Sequence, residues 1–282
     1  MTDVKPAATT SSDTTDFAGS AGERFAEDWR IWRAGWEQWL TRPFGWLAAV
    51  SVNWLDETPR EYAGVPGLWW QDEDAAYVDP RGLTMTVQGK EFTAARRIAV
   101  DDDGSEVRVS AADAEIGITN RGAYMIVTYD PNSPLRRDFH GVPCYEPNRA
   151  WSLHGRFEPF ERRESITLGS VAWHNHDFGS PGVVHFTYDC TEYALAALEA
   201  PGGGLNIVFK DATSGVTTYP ACRSLTVDRP GEDGTVLLDF NRAVNLPCAF
   251  TDNFPICPVP PPQNRLPFPI EAGEKDPHHP HP

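Results

Sequence analysis

From Gly64 to Phe240 the sequence is a succession of short runs of β-branched and aromatic residues separated by turn residues, with no helical period between them. Strands joined so closely pair antiparallel, because a parallel pair needs a crossover of about a dozen residues or more. Leu83–Val87, Glu106–Val109, Glu115–Thr119 and Tyr124–Tyr129 form a first set. They are punctuated by Asp79-Pro80-Arg81-Gly82, Asp101-Asp102-Asp103-Gly104 and Asn120-Arg121-Gly122, which read as hairpin turns. A second set comprises Trp151–Phe157, Ser165–Trp173, Gly182–Tyr188, Tyr193–Glu199, Leu205–Lys210, Val216–Leu225 and Val236–Phe240, with Gly202-Gly203-Gly204 as a turn. Between the sets, residues 130–148 carry four prolines and little periodicity, so they read as a crossing loop.

Ahead of the strands, Ser20 and Glu23 have capping-box spacing. Phe25, Trp29, Trp32, Trp36 and Trp39 then recur at steps of four and three on one helical stripe. Such a stripe must be covered, either by the chain's own β body or by a partner. Gly45 and Pro59 bracket a second, shorter helical piece around Trp46–Leu55. At the other end, seven prolines between Pro255 and Pro269, including Pro260-Pro261-Pro262, rule out a regular ladder of hydrogen bonds. Phe250, Phe254, Ile256, Leu266, Phe268 and Ile270 in the same segment point to packing on the body.

The expected architecture is mainly β: an N-terminal amphipathic helix, two antiparallel β lobes built as barrel or sandwich, and a Pro-rich C-terminal segment packed on them. The expected divisions are a disordered tail over 1–16, a helical segment over 17–60, a first β lobe over 61–150, a second lobe with its Pro-rich wrap over 151–275, and a tail over 276–282.

Net charge narrows the partners. At −16 the chain repels phosphate backbones and anionic lipid, so neither nucleic acid nor membrane is an expected partner. The first sixteen residues lack a basic start and apolar run, and no stretch approaches the roughly 18 apolar residues of a spanning helix, which predicts a cytoplasmic protein. Cys144, Cys190, Cys222, Cys248 and Cys257 show no close pairs and read as reduced, mostly structural thiols.

Several tracts resemble a known bacterial family. They are Asp211-Ala212-Thr213-Ser214-Gly215, Asp239-Phe240-Asn241-Arg242-Ala243, Pro247-Cys248-Ala249-Phe250 leading to Cys257-Pro258, and Pro260 to Pro267. Arg121-Gly122 with Tyr124, then Asp130-Pro131-Asn132-Ser133-Pro134, extend the likeness, which runs from about Asp16 to Lys275. The family is that of the domain of unknown function 1684. The resemblance implies a bacterial, cytoplasmic protein of continuous architecture and assigns no activity to any residue.

Chemistry-bearing groups gather at the exit of the last apolar strand. Asp239, Asn241, Arg242 and Asn245 there, joined by Arg121 or Asn264, form a candidate rim site for a small polar ligand, the arginine offering a bidentate contact to carboxylate or phosphate. The competing reading is that these groups pair with one another or cap carbonyls of the Pro-rich segment. Ser214 lacks a nucleophile elbow and reads as turn chemistry. His174 and His176, two apart on a strand, with His185, His154 or Asp177, are a weak alternative for a metal, but no complete ligand set is spaced for one and no cofactor is expected. The first functional reading is therefore a ligand-binding protein; a hydrolase or metal-dependent enzyme, and a protein interaction module presenting the tryptophans or the proline run, are the alternatives.

Overall fold

A computed structural model describes residues 21–101, 105–111, 113–120, 123–170, 176–200, 203–251, 253 and 258–278, and the backbone only of 21, 163–170 and 176–178. The protein is mainly β with one long helix, α1 (Ala21–Leu40). It divides into two compact units: Gln38–Phe139, and the residues up to Glu37 together with those from His140 onward.

The first unit holds β1 (Ala49–Trp54), β2 (Arg60–Tyr62), β3 (Val65–Gln71), β4 (Ala76–Asp79), β5 (Met85–Val87), β6 (Lys90–Phe92), β7 (Arg96–Ile98), β8 (Glu106–Ala111), β9 (Ala114–Asn120) and β10 (Tyr124–Tyr129). They form a six-stranded sheet in the order β1-β10-β9-β8-β5-β6 and a four-stranded sheet in the order β2-β3-β4-β7. Trp69, Val78 and Ile98 of the smaller sheet share one buried core with Met85, Val109, Ile116, Ile118 and Ile126 of the larger, so this unit is a sandwich. Asp79–Gly82 makes a tight turn, with Asp79 accepting from the Arg81 N–H at 2.9 Å and Arg81 and Gly82 at positive φ. It is not a hairpin, however, because it carries the chain from the four-stranded sheet to the six-stranded one. Asn120 does lead a hairpin, pairing opposite Tyr124. Only Trp46–Ala48 of the expected second helix is helical, as one 3₁₀ turn. Val50, Val52 and Trp54 alternate at the period of a strand, and β1 completes the large sheet through pairs such as Val52 with Val127; tertiary pairing overrides local propensity here.

The second unit holds β11 (Ser152–Ser170), β12 (His176–Tyr188), β13 (Thr191–Glu199), β14 (Leu205–Phe209), β15 (Arg223–Val227), β16 (Thr235–Asp239), β17 (Val244–Asn245) and β18 (Pro258–Val259). The sheet order is β16-β11-β12-β13-β14-β15-β17, with β18 on β11, and every pair is antiparallel. Val184, Phe186, Leu195, Ile207, Phe209, Leu225, Leu238 and Phe240 build its core. The expected strand over Val216–Leu225 begins only at Arg223, because Asp211, Thr213 and Thr218 tie residues 211–218 into a turn and Gly215 sits at φ 80°.

Two segments wrap this unit. The C-terminal one runs beside residues 210–212, where Lys210 N donates to Asn264 O, Leu266 N to Lys210 O and Ala212 N to Phe268 O at 2.8–3.1 Å. Leu266, Ile270 and Ala272 enter the core, and Phe268 stacks on Tyr188 at 4.2 Å. The other is α1, whose aromatic stripe is covered by the chain itself. Trp36 is 1% exposed, Trp29 Nε1 donates to Asn241 O at 2.9 Å, and Arg149 and Arg242 lie over the rings of Phe25 and Trp32. Trp39, grouped with the first unit, meets Trp46 edge-on at 4.9 Å.

Candidate functional site

Strand β16 ends at Asp239 and continues into a 3₁₀ turn, Phe240–Arg242. Asp239 Oδ1 accepts from Ser152 Oγ at 2.9 Å and Asn241 Nδ2 at 2.8 Å, while Oδ2 lies 3.2 Å from Arg242 Nε. Asn241 is 1% exposed and clamps Asn148, accepting from its N–H at 2.8 Å and donating to its carbonyl at 3.0 Å. Arg242 differs. Its side chain is 29% exposed, its guanidinium carbon stands 5.5 Å from the Trp32 ring centroid, and Nε is not aligned for a hydrogen bond to Asp239. Among the described residues neither Nη1 nor Nη2 has an acceptor. Three of the anticipated residues, Asp239, Asn241 and Arg242, thus meet, with Asn241 serving the fold and Arg242 keeping open donors.

Asn245 and Asn264 are spent elsewhere in the unit. Asn245 is fully buried, its backbone N–H donating to Glu274 Oε2 at 2.5 Å and its Nδ2 to Lys275 O at 2.8 Å, with Oδ1 unpartnered. Asn264, 1% exposed, bonds Ala196 N at 2.8 Å through its oxygen, and Ala196 O at 2.9 Å and Val208 O at 2.8 Å through its amide nitrogen. Strands β13 and β14 pair only at Leu198 with Asn206 and Glu199 with Leu205, so beyond that point Asn264 stands in for the missing ladder. Asn264→Ala strips partners from three buried backbone groups and is expected to cost about 2–4 kcal/mol of unfolding free energy in urea titration; a loss below about 1 kcal/mol contradicts its role in replacing the missing ladder. Arg121 lies outside the described residues.

The densest polar chemistry was not anticipated. Asp211, 7% exposed, accepts through Oδ2 from Ile270 N at 2.6 Å and Thr213 Oγ1 at 2.8 Å, and through Oδ1 from Ser214 Oγ at 3.2 Å and Arg223 Nη2 at 3.3 Å. Ser214 is therefore a turn partner of Asp211, as its loop suggested. Arg223, 1% exposed, also donates to the carbonyls of Ile270, Ala272 and Glu274, alternate residues of the C-terminal wrap. Burial draws its pKa below the ordinary arginine value, against the pull of Asp211. Glu274, wholly buried, accepts from Arg33 Nη1 at 2.6 Å and Trp36 Nε1 at 2.8 Å. Burial alone would depress Arg33, but the Glu274 carboxylate holds its pKa above the ordinary value. These charges fasten α1 and the C-terminal wrap to the sheet.

His174 lies outside the described residues, and of His176 only the backbone is described. His185 Nε2 is 3.2 Å from Glu158 Oε2 and its Nδ1 is 3.4 Å from Glu192 Oε1; carboxylates on opposite ring nitrogens do not make one ligand set. Among the described residues no three of His, Cys, Asp and Glu are grouped to hold a metal. In the first unit an open groove of about 670 Å³ is lined by Leu55, Asp56, Glu57, Thr58, Arg60 and Gln71, none of them a sequence candidate.

Contrary to the expectation of reduced thiols throughout, one cysteine is oxidised. Cys144, Cys190 and Cys222 are free, but Cys248 is disulfide-bonded; Cys257 lies outside the described residues. Burial pushes the Cys144 and Cys222 pKa values up to about 12, whereas Cys190 is exposed. In native alkylation followed by mass spectrometry, Cys190 is expected to react first, Cys144 and Cys222 after unfolding, and Cys248 only after reduction. Labelling of Cys248 without reductant would contradict the bond.

No curated protein matches the chain. Among solved structures, it is similar to an uncharacterized protein of Haloarcula marismortui determined by NMR in solution, at 28% identity over 51% of this chain and 81% of that one, with a TM-score of 0.43. The tracts that carried the resemblance from Asp211 onward all fall within the segment matched by a family model. Residues 137–275 match the family described as Protein of unknown function (DUF1684), which bears out the family resemblance over that segment.

Proposed function

We propose that the chain is a binding protein that takes a small polar ligand beside β16, with Arg242 as the anchor and Asp239 as its neighbour. The observation that carries this reading is the Arg242 guanidinium. It is partly exposed and backed by Trp32, and Nη1 and Nη2 are without acceptors among the described residues. Arg223 spends its guanidinium on carbonyls of the C-terminal wrap and on Asp211, whereas the Nη1 and Nη2 donors of Arg242 have no such protein partner among the described residues and are left for solvent or a ligand. Asn241 supports the site from beneath by fixing the turn that presents Arg242.

Native mass spectrometry of the chain purified from its own host tests the reading. A retained small molecule that disappears in Arg242→Lys, with the melting temperature little changed, supports it, since a point charge does not replace the planar fork. A bare mass for the wild-type chain counts against it.

Compartment belongs to the same proposal. No helix among the described residues is long and apolar enough to cross a membrane. The Cys248 disulfide favours an oxidising compartment over the expected cytoplasm, and the thiol labelling described above, done on protein trapped at lysis, distinguishes the two.

A further inference from the structure

We infer, resting on the ligand reading above, that the molecule held at Arg242 is a carboxylate bearing a hydrogen-bond donor on the adjacent carbon, that is an α-amino or α-hydroxy acid. Arg242 supplies two parallel N–H donors, the geometry that carboxylate and phosphate oxygens match. The Trp32 ring lies on the guanidinium, so a ligand approaches from its open edge. What separates carboxylate from phosphate is Asp239. Its Oδ2, 3.2 Å from Arg242 Nε, keeps acceptor capacity, while Oδ1 is occupied by Ser152 and Asn241. A doubly charged phosphate beside that carboxylate meets repulsion, in a chain whose net charge of −16 already disfavours multiple anionic charge. A single carboxylate on the fork meets less, and an amino or hydroxyl group next to it can donate to Oδ2.

The test is isothermal titration of the full chain with glycine, glycolate, acetate and inorganic phosphate, for the wild type, Arg242→Lys and Asp239→Asn. Glycine or glycolate is expected to bind at least tenfold more tightly than acetate or phosphate. Arg242→Lys weakens that binding tenfold or more, and Asp239→Asn removes the advantage over acetate. If Asp239→Asn lowers the melting temperature, the Arg242→Lys comparison decides, as that side chain is bound to no other part of the described protein than Asp239 and Trp32. Arg242-dependent binding led by phosphate or acetate overturns the ligand class and leaves the site standing. A host-retained molecule of another class, lost with Arg242, does the same. No Arg242-dependent binding of any probe, together with a bare native mass, overturns both.

Discussion

Arg223→Ala is expected to lower the unfolding free energy by about 3–5 kcal/mol, the range found when one partner of a buried ion pair is removed. The guanidinium is 1% exposed and holds the carbonyls of Ile270, Ala272 and Glu274 as well as Asp211, so its loss leaves a buried carboxylate and three carbonyls without their cation. Asp211 keeps Ile270 N and Thr213 Oγ1, which limits the damage without repairing it. The segment released first is the wrap over residues 262–278. Urea unfolding gives the magnitude, and limited proteolysis gives the place: cleavage in the wrap at denaturant concentrations where the wild type resists. A loss under about 1 kcal/mol, or cleavage that begins elsewhere, would show that the core alone retains the wrap.

The contrast between Arg223 and Arg242 shows what sequence reading reaches. Arg223 opens β15 and Arg242 closes the turn after β16, and nothing local marks one as buried and the other as half open. Arg223 is buried because an extended chain, nearly 50 residues later, lays alternate carbonyls across it; hydrogen bonds spanning 47 and 51 residues are invisible to a local window. Asn264 is similar, its partners Ala196 and Val208 lying 68 and 56 residues away. Glu274 follows a Pro-rich stretch whose sequence points only to packing on the body, and its neighbours give no hint of Arg33, 241 residues earlier. The polar cluster at the end of β16 was legible because turn-forming and charged types follow an apolar strand. Which of its members remained open was a tertiary matter.

Regular elements were legible where period and burial agreed. The α1 stripe repeats at helical spacing and is covered along its length, and the antiparallel meander follows from short turns. Val216–Leu225 failed because its β-branched residues are outweighed by the side-chain hydrogen bonds of Asp211 and Thr213, and Trp46–Leu55 because an apolar run that short fits either period.

Trp36→Ala is expected to cost about 3–5 kcal/mol, and Trp32→Ala distinctly less. Both belong to the same stripe, and sequence spacing treats them alike. The structure does not: Trp36 is 1% exposed and its Nε1 donates to Glu274 at 2.8 Å, whereas Trp32 is half-buried beneath Arg242. Part of the Trp36 effect is therefore hydrogen bonding to a charged acceptor, which is separable from packing. In a double-mutant cycle, Trp36→Phe keeps most of the ring volume and drops the donor, and Glu274→Gln keeps the shape and drops the charge. The two changes are expected to couple by about 0.5–3 kcal/mol, because residues sharing one buried network are not additive. Glu274→Gln alone also leaves Arg33, held between Glu37, Glu274 and Val142, without its closest anion, so it is expected to be the more harmful of the two single changes. Additive losses, or equal losses for Trp32→Ala and Trp36→Ala, would mean that α1 is held by its apolar stripe as a whole and that Glu274 is not the point to which it is fastened.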